Sequence, residues 1–350
     1  MTPRDSSRAT LWWLMILASC LASGCASMFQ ASDKVLIREP GRRTYGAPVD
    51  VTESAKALWE HAVLGENSYL GEWKKKRRIS LEQVARVFQP PEATPEAFDA
   101  RCVPGQDAGP LPLSGWRMWP DFPTPALIKE AVEVGLFVEV WERESSPPVI
   151  AVVFRGTEFT SWKDWVSNLR WFIPWHQDQY TLVSKKVGQQ FVDRLVDRRP
   201  DLGSNAPSAV RIVAVGHSLG GGLAQHLAYS LPPASSHGVK VPRVSWVYAF
   251  DPSPVTGWYS VDSDLREANA AELWIERIFE HGEILAYARL LVSYAHPPSA
   301  AHPSVREIRY NFVQSANPFS SHSMRLLACA LIDASGQSRI PDLMERFGDR

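Results

Sequence analysis

The chain has 350 residues, 45% of them hydrophobic, enough to bury a sizeable core as one large α/β domain or two small ones. Its 37 basic and 38 acidic residues leave a formal net charge of −1, which gives no support to a nucleic-acid or strongly acidic partner. The 14 tryptophans are many for this length and suit packed cores, wet apolar surfaces or a membrane interface.

The N-terminus reads as a targeting segment. Arg4 and Arg8 precede an apolar run from Leu11 to Ala22, too short for a membrane span and suited to a secretory signal. The run ends in Ala22-Ser23-Gly24-Cys25-Ala26-Ser27, which resembles the lipobox of a bacterial lipoprotein. That resemblance implies a lipoprotein signal over residues 1–25, cleaved so that an acylated Cys25 becomes residue one, and so a membrane contact through a lipid anchor; a plain signal peptide or an uncleaved anchor is the other reading. Leu17-Ala18-Ser19-Cys20 also fits, which makes Cys20 the alternative attachment site. Ala26, in place of the aspartate of an inner-membrane retention signal, favours an outer-membrane address facing the periplasm or the cell surface. Two cysteines remain, Cys102 and Cys329; an exported protein could join them, although the sequence does not place them together.

Residues 26–50 are polar, carry Pro40, Gly41, Gly46 and Pro48, and read as a tether. Residues 51–125 read as a helical and irregular extension. Helices are expected over Ala55 to Leu64 and Ser80 to Phe88, separated by the basic run Trp73 to Arg78. Residues 89 to 125 are rich in proline and glycine and read as a long connection, with Trp116 and Trp119 as packing residues. The main domain is expected over 126–350. Thr124 to Glu133 reads as a helix and Leu136 to Glu142 as a strand. Val149 to Phe154, Arg211 to Gly216, Val244 to Phe250 and Leu273 to Phe279 are apolar runs of the kind buried on both faces of a sheet. Helical patterns lie at Lys185 to Arg198, Ser218 to Ser230, Ile284 to Val292 and Ser323 to Asp333. Strands alternating with helices predict an α/β fold with a mostly parallel central sheet and helices on both faces.

Within that pattern, Gly216-His217-Ser218-Leu219-Gly220 stands between a buried strand and a helix. Strand, Gly-x-Ser-x-Gly and helix is the context of a nucleophile elbow. The turn is crowded, so small residues are needed two positions either side of the serine; Gly216 and Gly220 supply them, and Gly221 and Gly222 let the helix pack closely. The helix N-terminus adds partial positive charge beside Ser218, and the N–H of Leu219 would point at a developing oxyanion.

Val153-Phe154-Arg155-Gly156-Thr157, followed by a Trp-containing segment and then by GHSLGG, resembles the class 3 lipases, the fungal-lipase-like branch of the α/β-hydrolases. The resemblance covers roughly residues 130 to 335 and rests on the pair of motifs. It implies an α/β-hydrolase fold and hydrolysis of carboxyl esters of lipids, with Thr157 as the second oxyanion donor and Arg155 as a structural residue. It also implies that Ser161 to Tyr180, with Trp162, Trp165, Trp171 and Trp175, forms a lid or acyl-binding wall; ordinary core packing is the other reading.

A serine hydroxyl becomes nucleophilic only when a base takes its proton, and the base needs a carboxylate to orient it. Among His226, His237, His281, His296, His302 and His322, the family's placement just before a C-terminal helix favours His322. For the acid, matching IERIFEHGEIL to the family segment favours Glu283, although the family usually has aspartate there. Asp251, in YAFDPSP at the end of another strand, is the rival and resembles the acid position of pancreatic-type lipases. No metal or organic cofactor is implied: there is no zinc-like histidine spacing, and the glycine run lacks the Lys-Ser/Thr of a phosphate loop. A phospholipase A or lysophospholipase, an acyltransferase acting on membrane lipids, and a non-catalytic lipid-anchored binding protein remain as alternatives.

Overall fold

The structure is a computed structural model. It describes residues 34–46, 49–70, 90–102, 109–156, 178–204, 209–283, 285, 289, 302–312 and 320–338. The chain divides into two compact units, Met1–Lys34 and Val35–Arg350, and the sheet and its helices lie in the second. Among the described residues no helix is long and apolar enough to cross a membrane.

Eight strands form one sheet: β1 (Val35–Arg38), β2 (Trp116–Met118), β3 (Val138–Arg143), β4 (Val149–Phe154), β5 (Arg211–His217), β6 (Val244–Phe250), β7 (Trp274–Glu280) and β8 (Ser304–Tyr310). Their spatial order is β1-β8-β7-β6-β5-β4-β3-β2. From β4 to β8 all neighbours run parallel, and an antiparallel strand at one edge and two at the other complete the sheet. The α/β expectation is therefore met by an eight-stranded, mostly parallel sheet.

The alternation of side chains along each strand feeds two cores. Ile150, Val152 and Phe154 of β4 and Ile212 and Ala214 of β5 face one core; Val149, Ala151, Val153, Val213 and Val215 face the other. The first core is covered by α3 (Pro125–Glu133), α4 (Asp178–Leu182), α5 (Gly188–Arg198) and α6 (Leu219–Ser230), through Leu127, Phe191, Leu223 and their neighbours. The second is covered by α1 (Val51–Asn67), α2 (Pro95–Arg101) and α8 (Met324–Ala334), through Leu58, Phe98, Leu327 and Leu331. Continuous apolar runs were expected for strands buried on both faces, and these two cores are the reason.

The expected division at 125/126 does not separate two packing units. β1, inside the stretch read as a tether, pairs with β8, and Arg38 forms an ion pair with Glu307. α1, from the stretch read as an extension, buries Ala55, Leu58 and Ala62 in the second core. Cys102 and Cys329 form a disulfide with Cα atoms 5.7 Å apart, tying the end of α2 to α8. Trp116 and Trp119 are buried as packing residues, one on each side of the sheet. β8 falls in a stretch that offered little apolar signal: SVREIRY carries three charged side chains around Val305 and Ile308. α7 (Ser263–Ala270), capped by Asp262, was likewise unexpected. The expected helix at Ser80 to Phe88, the basic run before it and most of Ile284 to Val292 lie outside the described residues.

Candidate active site

β5 ends at His217 and α6 begins at Leu219, so Ser218 alone makes the turn between them. Its backbone sits at φ 57°, ψ −125°, a region that costs a non-glycine residue on the order of 1–3 kcal/mol. Three hydrogen bonds hold it there. The N–H of Ser218 donates to the carbonyl of Phe250 (2.9 Å), and the carbonyl of Ser218 accepts from the N–H groups of Gly221 (3.0 Å) and Ser253 (2.9 Å).

The glycines around the turn answer to close backbone approach. A Cβ on Gly216 would lie 2.1 Å from the carbonyl oxygen of Gly220, and one on Gly220 would lie 2.3 Å from that of Phe154. Gly221 and Gly222 were expected to let the helix approach the sheet. What crowds them is the loop after β6: a Cβ would lie 2.9 Å from Pro252 Cβ at Gly221 and 2.3 Å from the Val255 carbonyl at Gly222.

His322 closes a short 3₁₀ turn just before α8, whose first turn is capped by Ser323. Its Nε2 lies 3.0 Å from Ser218 Oγ, and its Nδ1 lies 2.7 Å from Glu283 Oε2. An N–H at Nδ1 donating to the carboxylate leaves Nε2 as the acceptor for the serine hydroxyl, the tautomer assigned by this network. Glu283 follows β7 by three residues and is fully buried. Its Oε2 also accepts the N–H of Leu285 (2.7 Å), and its Oε1 accepts from the guanidinium of Arg289. Three residues expected to work together, Ser218, His322 and Glu283, thus form one hydrogen-bonded chain.

Asp251, the rival acid, directly follows β6 and is equally buried, with φ 39°. Its Oδ1 accepts the N–H of Glu280 (3.0 Å), and its Oδ2 lies 3.7 Å from Nε2 of His217. It is not hydrogen-bonded to His322. The other histidines are placed elsewhere. His226 is buried in α6 against the Tyr180 carbonyl, His281 stands in the turn after β7, His237 and His302 are exposed, and His296 lies outside the described residues.

Two participants had no clear sequence signal. His217 donates from Nε2 to the backbone carbonyl of His322 (3.1 Å) and accepts at Nδ1 from the hydroxyl of Tyr69 (2.5 Å). Tyr69 comes from the 3₁₀ turn that follows α1, so the N-terminal part of the chain reaches the serine's neighbour. A third, Arg289, was legible only as a lone cation in the apolar helical pattern Ile284 to Val292.

Burial lowers the pKa of His322 to about 4, against the pull of Asp251 and with the help of Arg289. The imidazole is therefore neutral at ordinary pH, as a base must be. Burial also lowers His217, opposed by its contact with Asp251. Arg289 is brought down by burial to about 10 and keeps its charge at neutral pH. His217, Asp251 and His322 offer donor atoms within 4.8 Å of one another. Both nitrogens of each ring already hold hydrogen bonds, however, so the cluster is a hydrogen-bonded one and not a ready coordination site.

Leu219 opens α6, whose first N–H groups have no partner within the helix and face the serine's end of the turn. Thr157, the expected second oxyanion donor, lies outside the described residues, as do Cys20, Cys25 and the tryptophans of the expected lid. Arg155 is buried, with its guanidinium 3.5 Å from the centre of the Phe137 ring. Neither a protein-family model nor a curated protein matches the chain.

Proposed function

We propose that this protein is a serine hydrolase of carboxyl esters, built as an α/β-hydrolase and acting on acylglycerols or similar lipid esters. The observation that carries the reading is the hydrogen-bonded chain from Ser218 Oγ through His322 to Glu283, anchored at a positive-φ elbow. A serine in a plain glycine-rich turn needs neither a neutral buried imidazole 3.0 Å away nor a carboxylate behind it.

In the proposed reaction Ser218 Oγ attacks the ester carbonyl while His322 Nε2 takes its proton. Glu283 holds the imidazole in the required tautomer and stabilises the imidazolium. The tetrahedral oxyanion is stabilised by the N–H of Leu219 and, on the resemblance to class 3 lipases, by Thr157; each donor is worth roughly 10²–10³ in rate. His322 returns the proton to the leaving alcohol and an acyl-serine remains. Water then attacks the acyl group, giving its proton to His322, and Ser218 leaves with that proton as the fatty acid departs. The lipid substrate and the outer-membrane lipid anchor at Cys25, or Cys20, are part of the same proposal and rest on the two sequence resemblances.

The test uses the mature chain from Ala26 and its Ser218→Ala variant on p-nitrophenyl esters from acetyl to palmitoyl. Wild-type turnover that drops by about 10⁴ or more in the variant is the expected result. A folded wild-type protein without turnover, and without labelling of Ser218 by a fluorophosphonate, overturns the proposal in favour of a binding protein.

A further inference from the structure

The acid of the proposed triad is a glutamate, and a glutamate has one more rotatable bond than an aspartate. Left alone, its carboxylate would sample several positions relative to His322, and each frozen side-chain torsion costs conformational entropy. In this site the carboxylate has no such freedom. Oε2 is shared between His322 Nδ1 and the N–H of Leu285, and Oε1 is taken by Arg289. Arg289 is itself held: its Nη1 donates to the carbonyl of Pro252 (2.9 Å), and its guanidinium lies 4.7 Å from the centre of the Phe279 ring. Pro252 is the residue after Asp251, so Arg289 ties the turn after β7 to the turn after β6.

A cation in that position has a cost for catalysis. It withdraws charge from Glu283 and opposes formation of the imidazolium on which the proton transfer depends. Asp251 supplies the opposite charge. It is fully buried, its Oδ2 has no hydrogen-bond partner among the described residues, and it lies within 4.8 Å of the His322 ring. Among the described residues, Glu283, neutral His217 and, through His217, Tyr69 also face His322.

We propose that Arg289 and Asp251 are paired positioning residues: Arg289 aims the Glu283 carboxylate at His322, and Asp251 is the countercharge that keeps His322 able to take a proton beside that cation. This deepens the hydrolase reading and rests on it. It also gives a role to the losing candidate for the acid: Asp251 acts through space where Glu283 acts through a hydrogen bond.

The test compares Arg289→Met, Arg289→Lys and Asp251→Asn in the mature chain, with kcat and KM followed against pH on a short soluble p-nitrophenyl ester. Removing the cation is expected to lower kcat by about 10²-fold with little change in KM, and to move the acid limb of the profile up by roughly one pH unit. Arg289→Lys, which keeps the charge but loses the forked donor, is expected to leave the limb in place and recover part of kcat. Asp251→Asn is expected to move the limb down. Shifts of Arg289→Met and Asp251→Asn in the same direction, or no shift in either while circular dichroism stays native, overturn the proposal. Should Arg289→Met not fold, Asp251→Asn against Arg289→Lys decides it: a limb that stays fixed in the aspartate variant is the overturning result. The His322 titration followed by NMR reads the same shifts without turnover. A protein that shows them but hydrolyses nothing therefore refutes the hydrolase reading and leaves the charge arrangement standing.

Discussion

The turns after β6 and β7 place a fully buried carboxylate each at the same end of two adjacent parallel strands, and they use them differently. After β6 the carboxylate comes at once. Asp251 is the first residue beyond the strand, and its Oδ1 is held by the backbone N–H of Glu280 on the neighbouring strand. After β7 the chain first turns through Gly282 at φ 74°, and the longer Glu283 then reaches His322. Burial and strand end are common to both; what separates them is one turn of chain and one methylene. The comparison teaches that an acid at a strand end is defined by what its oxygens already bond. Asp251 is anchored to the sheet, while Glu283 is anchored to the base.

The strongest way to break this contrast is to neutralise each acid in turn. Glu283→Gln keeps the shape and loses the charge behind the imidazole, and is expected to lower kcat by about 10³–10⁴. Asp251→Asn is expected to lower it by about tenfold, because it removes only a through-space charge. Steady-state rates of the two variants on one ester check both, and equal losses would erase the distinction between the turns.

The pH profile sharpens the same contrast. Burial holds the pKa of His322 at about 4, below its ordinary value of 6.5, so the folded protein keeps the imidazole neutral where an unfolded chain would protonate it. Activity is therefore expected to stay level as pH falls through 6.5 and to drop about tenfold per unit only below about 4. The stability that the neutral His322 contributes is fully present above about 6.5 and is lost progressively as pH falls towards about 4. Rate profiles and chemical-denaturation curves measured at the same pH values separate the two effects.

The smallest expected effect concerns the support behind both turns. Tyr69→Phe removes the hydroxyl that fixes the tautomer of His217, and through it the hydrogen bond to the His322 carbonyl. A three- to tenfold loss of kcat with an unchanged KM is expected, in line with one hydrogen bond of about 1 kcal/mol. A loss as large as that of Glu283→Gln would move Tyr69 and the N-terminal part of the chain into the chemistry itself.

Ser218 and its turn were the most legible part of the site, because the constraint is local. A single residue turning from a strand into a helix demands small neighbours, and the demand appears as Gly216 and Gly220 within five residues. His322 was legible in part, as the histidine just before the apolar helical pattern at Ser323 to Asp333. The choice between Glu283 and Asp251 was not legible as pure chemistry, since both are carboxylates in turns that follow a buried strand; only the match to the class 3 lipases ranked them. Arg289 gave no more signal than a charge inside an apolar pattern, and Tyr69 gave none.

The sequence by itself determined the middle of the sheet. Apolar runs such as VIAVVF and the helical patterns between them are local consequences of burial on two faces, and they place β4 to β7 within a residue or two. Tertiary structure alone decided the rest. β8 is a strand because it pairs with β7 on one side and β1 on the other, and β1 is one because it pairs with β8, with Arg38 meeting Glu307 across them. α1 and α2 belong to the core because α1 finds its apolar partners on the sheet and α8, and because Cys102 finds Cys329, 227 residues away. Which carboxylate meets the imidazole follows from the same cause. Contacts between residues far apart in the chain leave no period in the sequence, and a difference of one methylene shows its meaning only when both turns stand side by side.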